Sequence, residues 1–127
     1  MISTQQFLKD VYEAFNRCDF EKVLAVMKPD VKWANGMEGG FVYGRDAVRE
    51  YWRKQFEVTH GLLEPLRFET DDNDRNIVTV RLTVKDLQDT LLLERTIKQI
   101  FTLKNSQISL FEIEDSEPLQ KALGLED

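Results

Sequence analysis

After Pro65 the chain takes up a period of two and holds it almost to its end, and this alternation constrains the fold more than any other feature. Side chains in a strand point to opposite faces in turn, so one apolar row beside one polar row marks a sheet with a single buried face. Val78, Val80, Leu82 and Val84 alternate with Thr79, Arg81, Thr83 and Lys85. In the next segment Leu91, Leu93, Arg95, Ile97, Gln99, Phe101 and Leu103 share a face. In the last, Phe111, Ile113 and Asp115 oppose Ile108, Leu110, Glu112 and Glu114. The polar clusters "DDNDRN", "DLQD" and "KNSQ" interrupt the run, which predicts four strands in an antiparallel meander.

The first half has helical periods. Ser3 followed by Gln6 reads as a capping box, opening a helix whose stripe is Phe7, Val11, Ala14, Phe15 and Cys18. Asp19 is placed to cap a shorter helix that buries Val23, Leu24 and Met27 and stops before Pro29. Residues 31–35 read as a strand with Val31, Trp33 and Asn35 on one face. A loop containing Gly36, Gly39 and Gly40 leads to Gly44, and from Arg45 to about Glu57 the period is helical again through Val48, Tyr51, Trp52 and Phe56. The tail "SEPLQKALGLED" is predicted to hold a short helix with Ser116 as cap and Pro118 near its first turn.

The order α-α-β-α-β-β-β-β is that of an α+β roll, a strongly curved antiparallel sheet wrapped around its helices. A sheet that curls without closing leaves a conical cavity, apolar with a few polar groups at depth. At 127 residues the chain is expected to be a single domain over 1–127, its acidic tail included in 112–127. A net charge of −6 disfavours nucleic acid and anionic membrane as partners, because both need clustered Lys and Arg. No long apolar segment and no basic, apolar leader is present at "MISTQQFLKD", so a cytoplasmic location is expected. One cysteine and one histidine supply no metal set, and Cys18 and His60 read as a buried packing residue and a surface loop residue; no metal or other cofactor is expected.

The segments "VYEAFNRCDFEKVLAVMKPDVKW", "YGRDAVREYW" and "IKQIFTLKNSQISLFEIED", in this order and spacing, resemble the nuclear transport factor 2-like superfamily and, within it, the SnoaL-like and ketosteroid-isomerase-like group. The resemblance covers nearly the whole chain. It implies a cone-shaped pocket, homodimerisation through the open face of the sheet, and functions ranging from isomerase and cyclase to binding or scaffolding.

Isomerase chemistry of that kind needs a carboxylate to shuttle a proton and two donors for the oxyanion. The resemblance puts Asn35 at the place of the base, Val11 near that of the tyrosine donor with Tyr12 beside it, and Gln99 at that of the acid donor. An amide cannot take the proton, so the isomerase set is absent. A second arrangement in the family, an acid on the last strand, falls on Ile113, leaving Asp115, or Glu112 after a one-residue slip of register, as the tentative catalytic acid. The epoxide-hydrolase arrangement requires an Arg-x-Asp on a pocket strand, and neither Arg81-Leu82-Thr83 nor Arg95-Thr96-Ile97 supplies it.

The expected ligand site is therefore Trp33, Asn35, Tyr12, Phe41, Arg95, Gln99, Phe101, Phe111 and Ile113, and the expected partner a small apolar organic molecule in a homodimer. Its rivals are an isomerase, lyase or cyclase, and an interaction module that docks a partner or second copy through Thr79, Leu92 and Ile100.

Overall fold

The computed structural model describes residues 3–114 and 117–124. Ser3 caps α1 (Thr4–Asn16), its hydroxyl accepting from the Gln6 amide at 3.1 Å. The Gln6 side chain turns to Asp10 instead of back to Ser3, so only half of the capping box forms. Helix α1 closes in a Schellman motif: Cys18 takes φ 61°, its N–H reaches Phe15 O and the Asp19 N–H reaches Ala14 O. That left-handed residue ends the helical period, and Cys18 is exposed rather than packed.

Helix α2 (Phe20–Ala25) is short, and Asp19 stands at its start without a side-chain capping bond. Met27, expected in this helix, begins strand β1 (Met27–Ala34), which also contains Pro29. A three-residue strand not legible in the sequence, β2 (Phe41–Tyr43), pairs antiparallel with β1 across the glycine loop. Gly44, with φ 88° and ψ 157°, then turns the chain into α3 (Arg45–Val58). Its N–H donates to Val31 O at 2.7 Å, and Arg45 Nε to Met27 O at 2.9 Å, fastening the helix start to β1.

Strand β3 (His60–Thr70) begins five residues before the period change, and His60 opens it rather than lying in a loop. Pro65 is tolerated because β3 is an edge strand, and a bulge at Leu66 absorbs the register shift. Strands β4 (Asn76–Lys85), β5 (Leu91–Lys104) and β6 (Gln107–Glu114) complete the expected antiparallel meander. The curved, open sheet has the order β2-β1-β6-β5-β4-β3, and β1 runs parallel to β6, the one parallel pair among the described strands. A short helix, α4 (Leu119–Ala122), follows Pro118; the expected cap Ser116 lies outside the described residues.

In β6 the simple alternation fails. Leu110 pairs with Thr102 and Ile108 with Leu103, so Ser109 is bulged, with its hydroxyl donating to Thr102 O at 3.0 Å. The bulge puts Ile108 and Phe111 on the same buried side although they are three residues apart. The core lies between this face and the helices, where Leu8, Ala14, Val48 and Trp52 meet Val78, Val80 and Val84.

Candidate functional site

Between α1, α3 and the concave face of the sheet lies a largely apolar cavity of about 80 Å³. Aromatic rings form much of its lining. Trp33 stacks on Phe111 at 4.1 Å between ring centroids and meets Trp52 edge-on at 5.5 Å, while Phe101 lies 5.1 Å from Phe111. Ile97, Leu82 and Leu63 line the sheet side, Val11 and Phe15 the helix side, and Ile113 and Leu119 a third wall.

Two polar groups meet at depth. The Tyr12 hydroxyl donates to Gln99 Oε1 at 2.6 Å, with both residues buried. Burial holds the Tyr12 phenol well above its ordinary pKa, so at neutral pH it is a neutral donor committed to this amide. The two N–H groups of Gln99 make no hydrogen bond among the described residues, and Gln99 lines the cavity. Although Tyr12 lies about 100° around α1 from Val11, both line the cavity, because the sheet wraps a wide arc of that helix.

Arg95 also lines the cavity. Its Nη2 donates to Glu117 O at 2.5 Å, while its Nε is shut off from solvent and has no hydrogen-bond partner among the described residues.

Seven residues expected at the site do line it: Tyr12, Trp33, Arg95, Gln99, Phe101, Phe111 and Ile113. Asn35 does not. Its Oδ1 accepts from the backbone N–H groups of Met37 and Glu38 at 3.0 and 2.9 Å, so it shapes the turn after β1 and borders an outer groove instead. Phe41 stands on the edge strand, 39% exposed, with Lys32 Nζ 4.3 Å above its ring. Glu112 points to the convex face, opposite in parity to the cavity-lining Phe111 and Ile113, and lies 3.7 Å from Arg75. Asp115 lies outside the described residues.

Sequence reading missed Tyr51 and Gln55, which line the cavity from α3. Their i,i+4 spacing was the available signal, since it puts two polar-tipped side chains on one helix face. The Tyr51 hydroxyl accepts the Gly36 N–H at 2.9 Å, and burial pushes its pKa up to about 12. Gly36 lines the wall too, and a Cβ there would come within 3.2 Å of Ile113 Cδ1. Among the described lining residues there is no Asp, Glu or His. Among all described residues no group of three or more His, Cys, Asp or Glu is gathered, and no helix is long and apolar enough to cross a membrane.

A family model for a SnoaL-like domain matches residues 8–116. No curated protein matches the sequence. Among solved structures, an NTF2-like protein of unknown function from Burkholderia pseudomallei is 26% identical, with a TM-score of 0.77 over 90% of this chain and 91% of that one. A Xanthomonas campestris pv. campestris protein described as a candidate polyketide cyclase is 18% identical, with a TM-score of 0.78 over 94% and 93% of the two chains. TerC, co-crystallised with polyporic acid, is 24% identical, with a TM-score of 0.70 over 81% and 83%.

Proposed function

The chain belongs to the SnoaL-like domain family, and on that premise we propose that it binds a small, mainly apolar organic molecule in the cavity between α1 and the sheet. The observation that carries the proposal is the Tyr12–Gln99 pair at depth, in which the two Gln99 amide donors have no partner among the described residues and stand in apolar surroundings. Such donors orient a carbonyl or hydroxyl oxygen, and the aromatic floor holds the ring that bears it. At about 80 Å³ the cavity is well under the roughly 300 Å³ at which sites enclose a drug-sized ligand, so it takes one ring, and a larger molecule extends through the mouth. The relatives described as a candidate polyketide cyclase and co-crystallised with polyporic acid support an oxygenated cyclic ligand as the class.

Binding is favoured over proton-transfer catalysis because no described lining residue can act as a base at neutral pH. An isomerase, lyase or cyclase reaction would fall to Asp115, the candidate acid the described residues leave open. The interaction-module reading is weakened by Ile100, which is 5% exposed, and by the half-buried Thr79, although Leu92 is 44% exposed. The homodimer implied by the resemblance belongs to this proposal, and sedimentation at micromolar concentration tests it.

The test of the site is a thermal-shift and tryptophan-fluorescence titration with cyclic ketones, phenols and larger polyketides, on wild type and Gln99→Leu. The expected result is stabilisation of the wild type by an oxygenated ring, with affinity about tenfold weaker in the variant. Absence of any shift and quench in the wild type, or equal response of the variant, would sink the assignment.

A further inference from the structure

Arg95 is a cation set into the wall of an otherwise largely apolar cavity. None of the ion pairs among the described residues involves it. One arm of its guanidinium is anchored on Glu117 O, which restrains the group, while the solvent-shielded Nε–H has no acceptor among the described residues. A buried charged donor without an acceptor is unfavourable, and an incoming anionic oxygen relieves it.

The position of Arg95 along β5 says which part of a ligand would reach it. On the cavity face the residues run Phe101, Gln99, Ile97 and Arg95, with the first three 1%, 4% and 8% exposed and Arg95 half-buried. The site thus grades from an apolar, amide-lined depth to a cationic rim. A molecule matching this gradient is apolar at one end and anionic at the other.

We propose that Arg95 makes the site selective for organic acids, with an apolar ring in the cavity and a carboxylate on the guanidinium at its rim. This rests on the pocket reading above and names its ligand class. The long-range field does not favour such a ligand, since the chain carries a net charge of −6, so the preference is a local effect of Arg95 and is lost with it.

The experiment compares 3-phenylpropionate with 3-phenylpropionamide, a charged and a neutral molecule of nearly the same shape, by isothermal titration calorimetry at neutral pH and low salt. On the wild-type chain the acid is expected to bind at least about tenfold more tightly than the amide. Arg95→Gln should abolish the ratio by weakening the acid more than the amide, while Arg95→Lys should retain part of it, keeping the charge but not the planar fork. If Arg95→Gln does not fold, the wild-type ratio and Arg95→Lys decide the matter. Equal binding of acid and amide to the wild type, or a ratio that survives Arg95→Gln, overturns the acid selectivity and leaves the pocket standing. Binding of neither compound overturns the acid selectivity, and the thermal-shift titration with neutral oxygenated rings decides separately whether the pocket reading stands.

Discussion

The Tyr12 hydroxyl donates to Gln99 Oε1 at 2.6 Å across 87 residues of sequence, joining the first helix to the centre of the sheet inside the core. Replacing Tyr12 with Phe leaves a buried carbonyl without its donor and is expected to cost about 1–3 kcal/mol in urea unfolding. Adding Gln99→Leu to Tyr12→Phe removes both polar partners, so the double variant should be less destabilised than the sum of the singles by about 1 kcal/mol. Additive losses would show that the bond couples nothing.

Two buried phenols set an alkaline limit. Burial raises the pKa of Tyr12 well above 10.0 and that of Tyr51 to about 12. Between the unfolded value near 10 and these raised values the unfolded chain loses phenolic protons that the folded chain keeps. Their stabilisation is therefore complete below about pH 10 and declines as pH rises through the folded pKa values. Ultraviolet titration of phenolate absorbance should show a late step that shrinks in Tyr12→Phe and in Tyr51→Phe. Ionisation of Tyr12 and Tyr51 near pH 10 would contradict the burial argument.

Gly44 occupies φ 88° and ψ 157°, a region open essentially only to glycine, at the junction of β2 and α3. Gly44→Ala is expected to destabilise the fold by about 1–3 kcal/mol, read as a lower urea midpoint at unchanged slope. Gly44→Asn should not rescue the loss, because the left-handed region that Asn tolerates lies far in ψ from this conformation.

At Gly36 the backbone leaves room for Ile113, and a new methyl would sit 3.2 Å from Ile113 Cδ1 and 3.5 Å from the Tyr51 hydroxyl. The nearest atom is the end of a flexible side chain, so Gly36→Ala should change stability by less than about 1 kcal/mol. It should also displace Ile113 into the cavity and weaken ring-sized ligands by about tenfold in the calorimetric titration. Unchanged affinity would place the ligand elsewhere.

The limits of sequence reading are visible in particular residues. Cys18 keeps helical spacing from Phe15 and Ala14, yet a left-handed backbone at Cys18 itself ends the helix and turns it outward. Ile108 and Phe111 differ in parity, yet one bulged residue, Ser109, brings both inward. Asn35 shares a strand face with Trp33 by count, yet its side chain is used by the turn that follows. In each case a local backbone irregularity, which period alone does not encode, reassigns the side chain.

What the sequence determined by itself is the order of helices and strands apart from β2, the concave face of the meander and most of the residues on it, because a period of two or of 3.6 is a direct statement of which side meets the core. Only the tertiary structure decided that Tyr12 and Gln99 pair, that Glu112 faces away from the cavity while Arg95 remains on its wall, and that aromatic stacking leaves about 80 Å³. Periodicity assigns a face but carries no distance, so which polar groups on that face meet, and how much space remains between them, follows from the curvature of the sheet around its helices.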